Sequence, residues 1–129
     1  MALFTELPVY PVGCLSNGVN RRMFNQRGEP RRILNLKDMY FYVYVLLSEK
    51  DGNFYTGYTD NIQARIKLHY NGKVISTKNR RPLKLIYWEG CLNQQDATRR
   101  EKYLKSGNGK IYLKNRIRNY FQSESNPTG

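Results

Sequence analysis

An uninterrupted aromatic and aliphatic run at residues 40–47 constrains the possible folds of this chain more than any other feature. The run is rich in tyrosine and valine and is too short for a comfortable helix, so it predicts a β-strand. Because neighbouring side chains of a strand point to opposite faces, Tyr42, Tyr44 and Leu46 share one face of the predicted sheet. We take this strand as the element around which the chain is organised.

A hairpin and a helix are predicted directly after this strand. Asp51 and Gly52 form a turn signal, so residues 54–58 are expected to return as the second strand of a hairpin. Capping oxygens at Thr59-Asp60-Asn61 and a stop signal at Asn71-Gly72 then bracket a helix that runs to about Tyr70. The predicted order therefore begins with two strands and a helix.

This predicted helix carries two side chains with useful chemistry. Arg65 and His69 are four residues apart, and residues at this spacing are neighbours on a helix. Three apolar residues at helical spacing form its predicted buried stripe, namely Ile62, Ile66 and Tyr70. We therefore expect Arg65 and His69 to lie side by side on the helix surface next to that stripe.

One more strand and two more helices complete the predicted fold. Residues 83–89 have the composition of a strand. Asn93 is predicted to cap a second helix, and the Gly-Asn-Gly sequence at 107–109 is predicted to break it. A third helix is expected over residues 110–121. The predicted fold class is α+β, with a small three-stranded antiparallel sheet, flanking helices and the order β-β-α-β-α-α.

Glu101 is an unusual residue for its predicted position. It shares one face of the second helix with Ala97 and Leu104. A carboxylate on an apolar face is costly unless it is paired or bound to a cation. Two interpretations follow, an inward-facing ion pair with a lysine or arginine, or a metal ligand.

The charge of the chain predicts a polyanionic partner. Lysine and arginine number 22 against 10 aspartate and glutamate residues, for a net charge of +12. Such a chain is attracted to nucleic acid, with an anionic membrane surface as the second interpretation. The basic residues do not alternate with a broad apolar helix face, and no apolar run approaches the roughly 20 residues of a membrane-spanning helix. We expect nucleic acid and no membrane.

Length and composition predict one domain with two poorly structured ends. Residues 1–38 are rich in proline and glycine without a sustained period, so a loosely ordered extension is expected there. Met39 directly precedes the first strand and is an alternative start. The domain is predicted over 39–121 and a flexible tail over 122–129. Two isolated cysteines and one histidine do not make a zinc site, and a cytoplasmic location is expected.

These elements, taken in order with their residues, resemble the GIY-YIG nuclease superfamily. The likeness is greatest to its small standalone bacterial members, which are similar to the nuclease domain of the excinuclease C subunit. It covers about residues 39–121. The matching positions are Tyr42-Val43-Tyr44 for GIY, Tyr55-Thr56-Gly57 for YIG, Arg65 ten residues after Tyr55, segment 76–82, and segment 99–107 with Glu101 as the metal ligand.

The resemblance implies a role for each of five side chains. Glu101 would hold one Mg²⁺ or Mn²⁺ ion, and Arg65 would bind phosphate oxygens with its planar fork. Tyr44 would be the base that activates water, and the Tyr55 hydroxyl would position water or phosphate. His69, whose ordinary pKa is nearer to neutrality, is the alternative base. Without the resemblance, both tyrosines would be interpreted as core residues.

A further set of residues is predicted to contact the nucleic acid. Gly57 lacks a Cβ and would let the substrate backbone approach the strand. Asn115 matches the late asparagine of the family, with Asn79 as the alternative. The predicted phosphate contacts are Lys78, Arg80, Arg81, Lys105 and Lys110, for which a merely solvated basic surface is the alternative interpretation.

The predicted function is divalent-metal-dependent endonucleolytic cleavage of DNA, structure-selective and in repair or recombination, with no small-molecule cofactor. RNA is the alternative substrate. A non-catalytic nucleic-acid-binding module on the same scaffold is the alternative function. The two functions differ at Glu101, because only a nuclease depends on a metal-binding carboxylate.

Overall fold

The structure is a computed structural model that describes residues 26, 27, 29 and 39–125. Three antiparallel strands form its sheet: β1 (Phe41–Ser48), β2 (Phe54–Thr59) and β3 (Leu83–Cys91). β1 is the central strand, between β2 and β3. The predicted α+β fold with a three-stranded antiparallel sheet is therefore confirmed. The predicted N-terminal extension lies, apart from three residues, outside the described residues.

Four helices accompany the sheet. They are α1 (Ile62–Tyr70), α2 (Gln94–Lys105), α3 (Gly107–Arg116) and α4 (Arg118–Ser125), with a short 3₁₀ turn at Lys78–Arg80 before β3. None of the described helices is long and apolar enough to cross a membrane. The predicted start and end of α1 are confirmed, because the Asn61 side chain accepts a hydrogen bond from the Ala64 N–H. Gly72, just past the helix, has a left-handed φ of 73°, which glycine adopts readily.

The two faces of β1 pack against different helices. On one face, the valines of β1 pack in an apolar cluster with buried residues of α2 and α3, whose members are Val43, Val45, Ala97, Leu104 and Leu113. On the other face, Tyr44 and Leu46 pack against Ile66 of α1 and Leu83 of β3. The alternation predicted from the sequence is therefore confirmed. We call these two sides the apolar face and the Tyr44 face.

The junction between α2 and α3 differs from the prediction. Residues 107–109 do not form a loop, because the Ser106 side chain accepts a hydrogen bond from the Gly109 N–H and caps α3. Gly109 is buried where α3 meets the end of α2, and a Cβ there would overlap the Tyr103 carbonyl oxygen. The predicted interruption of the helix lies at Ser106, one residue earlier, and Gly109 permits the close contact between α2 and α3.

The third predicted helix, over residues 110–121, is two helices in the structure. The chain leaves helical geometry at Ile117, which has φ −118° and ψ 33°. α4 then continues to Ser125, four residues beyond the predicted end. The change of direction lets Phe121 stack on Phe54 of β2, with ring centroids 5.9 Å apart. This aromatic contact depends on tertiary packing, which local sequence preferences do not contain.

Candidate active site

Tyr44 is the centre of a polar cluster in the middle of β1. Its side chain is 1% exposed, and its hydroxyl is joined to His69 Nε2 by a hydrogen bond of 2.8 Å. Arg65 donates a longer hydrogen bond from Nε to the same oxygen, at 3.4 Å. Because Arg65 and His69 are one turn apart on α1, a single helix supplies both partners.

His69 lies inside the protein and not on the helix surface, so that part of the prediction was wrong. Its side chain is 0% exposed, and its Nδ1 atom lies 2.7 Å from Thr77 Oγ1. The buried face of α1 also differs from the predicted stripe. It contains His69 and Ile66, which face the sheet, whereas Tyr70 is 47% exposed. The Tyr70 hydroxyl accepts a hydrogen bond from the Leu85 N–H, which accounts for its position at the margin.

Tyr55 and Gly57 of β2 complete this side of the cluster. The Tyr55 ring lies 6.5 Å from the Tyr44 ring and 5.2 Å from the His69 ring, between centroids. Its hydroxyl accepts a hydrogen bond of 3.4 Å from Ser76 Oγ. Gly57 pairs with Tyr44 across the strands, and a Cβ on Gly57 would overlap the Tyr44 hydroxyl. The space above Gly57 is thus filled by Tyr44 and not open to a substrate backbone, which corrects the prediction for this glycine.

The charge states of the cluster follow from burial and from the Arg65 guanidinium. Burial raises the pKa of Tyr44 above its ordinary value, and the hydrogen bond from Arg65 offsets part of that increase. Burial also lowers the pKa of His69 to about 4, with the positive charge of Arg65 as a second cause. At neutral pH the resting site therefore contains a neutral phenol, a neutral imidazole and a positive guanidinium.

Glu101 lies on α2, close enough for its charge to raise the pKa of Tyr44 further. Its side chain is 17% exposed and forms an ion pair with Lys105, at 2.7 Å between Oε1 and Nζ. Ala97 and Leu104 of the same helix are fully buried, so Glu101 lies on the inward-facing side as predicted. Lys105, predicted to contact phosphate, instead has the Glu101 carboxylate as its partner.

Glu101 offers a hard oxygen ligand for a divalent cation, but a single one. Among the described residues, no group of three or more histidine, cysteine, aspartate or glutamate side chains could hold a metal ion. One carboxylate suits a cation whose remaining ligands are water and substrate phosphate, as Mg²⁺ usually has. The donor set therefore fits an ion that binds together with its substrate and does not fit a permanently held structural metal.

The predicted phosphate contacts fall into separate groups. Lys78 and Arg81 line a cleft of about 690 Å³ together with Lys50. Arg80 is paired with Asp51 at 3.0 Å, which leaves it less available to phosphate. Lys110 and Asn115 are exposed on α3. The structure thus brings together Tyr44, Tyr55, Arg65 and His69, with Glu101 nearby.

Comparison with known proteins identifies the family of the chain. The sequence model for the GIY-YIG catalytic domain matches residues 40–115, which is more than half of the chain. The chain belongs to the GIY-YIG family. This family membership confirms the resemblance found in the sequence, places the chain in a nuclease family and implies a nucleic-acid substrate.

Several small bacterial proteins are similar to this GIY-YIG chain. A UPF0213 protein of Clostridium perfringens is 46% identical over 65 residues, which cover 50% of this chain and 69% of that protein. A UPF0213 protein of Bacillus licheniformis is 42% identical over 80 residues, which cover 61% and 75%. The solution NMR structure of a UPF0213 protein from Bacillus halodurans is 36% identical, covers 61% of this chain and 86% of that one, and has a TM-score of 0.40.

Thr77 and Ser76 also contact this cluster, although no sequence pattern predicted a role for either. Both lie in the irregular segment between α1 and β3, where no periodicity marks a residue as inward-facing. The signal that could have identified them is the resemblance of residues 76–82 to the standalone members, which was noted without a role for either hydroxyl. Their contacts with His69 and Tyr55 now connect this segment to the centre of the site.

Proposed function

We propose that this chain is a divalent-metal-dependent endonuclease that hydrolyses DNA phosphodiester bonds, with residues 39–121 as its catalytic unit. The observation that carries the proposal is the buried Tyr44 hydroxyl, held between His69 and Arg65. An ordinary core tyrosine does not need an imidazole and a guanidinium at its oxygen. Such an arrangement suits an oxygen whose charge changes during a reaction.

Arg65 would bind and stabilise the reacting phosphate. Its Nε donates to Tyr44, so its two terminal amino groups would bind the phosphoryl oxygens. The planar fork of the guanidinium matches the geometry of phosphate oxygens. The negative charge on those oxygens grows as the phosphodiester bond breaks, and a fixed positive charge then stabilises the transition state more than the ground state. Tyr55, placed by Ser76, would orient the attacking water or a phosphate oxygen.

Tyr44 would first release its own proton to solvent, and its phenolate would then accept the proton of the attacking water. In the resting site the raised pKa keeps Tyr44 as the neutral phenol, which is not itself the base. Its conjugate phenolate, by contrast, would be stabilised by the Arg65 guanidinium at the same oxygen. His69 Nε2 is hydrogen-bonded to the Tyr44 hydroxyl, so His69 would act through Tyr44.

Glu101 would hold the divalent cation, Mg²⁺ or Mn²⁺, with one carboxylate oxygen. When bound, the cation supplies positive charge that favours the phenolate and neutralises the leaving oxygen. For this, Lys105 would have to leave its ion pair with the Glu101 carboxylate or share the carboxylate with the cation. The same ion pair is the observation that favours the alternative function, a nucleic-acid-binding module in which Glu101 has only a structural partner.

The cleft beside Lys50, Lys78 and Arg81 would hold the backbone of the nucleic acid. The described residues 39–125 contain 16 lysine and arginine residues and 7 aspartate and glutamate residues, a net charge of +9. Binding should therefore weaken steeply with salt. We propose a structure-selective role in repair or recombination, because no element that reads base sequence is evident within the described residues 39–125. DNA is the proposed substrate and RNA is the alternative.

The decisive experiment compares cleavage by the wild type, Glu101→Ala and Lys105→Met. Linear, nicked, flapped and branched DNA would be incubated with Mg²⁺ or Mn²⁺, and with chelator as a control. A nuclease should lose at least about a hundredfold in rate in Glu101→Ala and in chelator, while Lys105→Met still cleaves and binding persists. Salt-sensitive binding with no cleavage by any protein would instead establish the binding module.

A further inference from the structure

A buried threonine hydroxyl takes part in the hydrogen bonds behind Tyr44. Thr77 is fully buried, and its Oγ1 lies 2.7 Å from His69 Nδ1. The opposite nitrogen of the same ring, Nε2, lies 2.8 Å from the Tyr44 hydroxyl. A chain of hydrogen bonds therefore runs from Thr77 through His69 to Tyr44, and the proton on the imidazole can occupy only one of the two links.

Each position of this proton leaves one of the two hydroxyl groups, Thr77 or Tyr44, without an acceptor on the imidazole. Within the part of the chain that the structure describes, its side chain forms no helix-capping bond and its hydrogen-bond partner is His69 Nδ1. If Nδ1 carried the proton, it would donate to Thr77, and the Thr77 hydrogen would be buried without an acceptor. A buried donor without a partner costs about 1–3 kcal/mol. If Nε2 carried the proton, the hydrogen without a partner on the ring would be that of Tyr44, which a base has to give up. This second arrangement fits the proposed function, and in it the Thr77 hydroxyl donates and Nδ1 accepts.

We propose that Thr77 is a positioning residue of the active site: its hydroxyl donates to His69 Nδ1, which keeps the imidazole proton on Nε2 and makes that N–H a donor to the Tyr44 oxygen. The Tyr44 oxygen then receives two N–H groups, from His69 and from Arg65. Its own proton is then held by neither partner and would be available for transfer.

This arrangement assigns different tasks to Tyr44 and His69. A nitrogen that already carries a proton cannot take another one from Tyr44, so His69 is not the base. It is a donor that stabilises the Tyr44 phenolate, and that phenolate is the base. This assignment of tasks rests on the proposed nuclease function. The choice of Nε2 for the imidazole proton rests on it too, but the proton position can be measured without cleavage.

NMR of the full chain labelled with ¹⁵N-histidine tests the proton position directly. His69 is the sole histidine of the sequence, so both ring nitrogen signals belong to it. At pH 7 we expect the protonated type of nitrogen signal for Nε2 and the unprotonated type for Nδ1. A proton on Nδ1, or on both nitrogens, would overturn the proposal.

Two Thr77 variants test whether Thr77 is the cause. Thr77→Val keeps the shape and removes the hydroxyl, so the preference for the Nε2 proton should be lost and kcat should fall about tenfold, the effect of one hydrogen bond, with KM unchanged. Thr77→Ser should retain both the proton position and kcat. Thr98→Val on α2 makes the same substitution away from Tyr44 and should change neither. An unchanged proton position and kcat in Thr77→Val would refute the role of Thr77.

The failures of the two proposals are distinguishable. Metal-dependent cleavage with the proton on Nδ1 would leave the nuclease function intact and end the positioning role. No cleavage with the proton on Nε2 would leave the hydrogen-bond chain intact and end the nuclease function. If Thr77→Val does not fold, the wild-type spectrum and Thr77→Ser still decide, because Thr77→Ser must keep the Nε2 proton.

Discussion

The two faces of β1 differ in the interactions that pack them: one has apolar contacts, and the other also has buried hydrogen bonds. On the apolar face, Val43 and Val45 pack against buried apolar side chains of α2 and α3. On the Tyr44 face, the same strand points Tyr44 into a buried site that also contains His69 and Thr77, and their polar atoms are hydrogen-bonded to one another. No described buried side-chain nitrogen or oxygen lacks a hydrogen-bond partner.

The apolar face therefore contributes mainly to stability, and the Tyr44 face is the one that we associate with the proposed chemistry. Apolar burial stabilises by about 1.5–3 kcal/mol for each large side chain, so the buried side chains of the apolar cluster contribute stability and none of them is a reactive group. A buried hydrogen bond contributes only about 1 kcal/mol net, so the Tyr44 face gains little stability from its polar atoms. We infer that the Tyr44 face is retained for its chemistry. Substitutions on the Tyr44 face should therefore lower turnover more than stability, and substitutions on the apolar face should lower stability more than turnover.

The largest expected effect is on turnover, in Arg65→Ala. Removing the guanidinium should lower kcat by about 100- to 1,000-fold, because its charge acts on the transition state. The free energy of unfolding should change by less than about 1 kcal/mol, and binding of uncleaved DNA should weaken much less than kcat. Single-turnover rates, binding titrations and urea unfolding measure the three quantities.

Arg65→Lys is the matched control, since it keeps the positive charge and loses the planar fork and the Nε donor. It should recover part of the binding and only a small part of kcat. If Arg65→Ala weakened binding and turnover equally, Arg65 would be an ordinary phosphate contact. That result would contradict a catalytic role for the Tyr44 face.

The next largest effect is on stability, in Leu113→Ala on the apolar face. Leu113 is 0% exposed, and truncating such a residue costs about 3 kcal/mol through lost burial and the cavity left behind. The cleavage rate for each folded molecule should stay at the wild-type value. Ile111→Ala on the same helix is the control, because Ile111 is 60% exposed and its loss should cost under about 0.5 kcal/mol. A comparable loss of kcat in Leu113→Ala would contradict the separation of the two faces.

Local signals were sufficient for most of the fold. The alternation in β1, the Asp51-Gly52 turn and the Asn61 cap are decided by residues close in sequence, and the structure agrees with each. The division of the last helical segment at Ile117 was missed, because it accompanies a contact between Phe121 and Phe54. These residues are 67 positions apart, and no local preference reports such a contact.

The site was predicted less completely than the fold for the same physical reason. Helical spacing correctly made Arg65 and His69 neighbours, but spacing does not fix how a helix is rotated against a sheet. That rotation buries His69 and leaves Tyr70 half exposed. Thr77 reaches His69 from a segment without regular structure, so its position depends on the folded chain alone.

The smallest expected effect is a pH dependence of stability that belongs to the Tyr44 face alone. The pKa of His69 is about 4 in the folded chain and near 6.5 when unfolded. Between these values the unfolded chain binds a proton that the folded chain does not, so stability must fall as pH decreases. From pH 7 to pH 5 the loss should be about 2 kcal/mol. Urea unfolding at several pH values measures it, and His69→Gln should flatten the curve while Leu113→Ala only lowers it. The same slope in His69→Gln would mean that another group titrates.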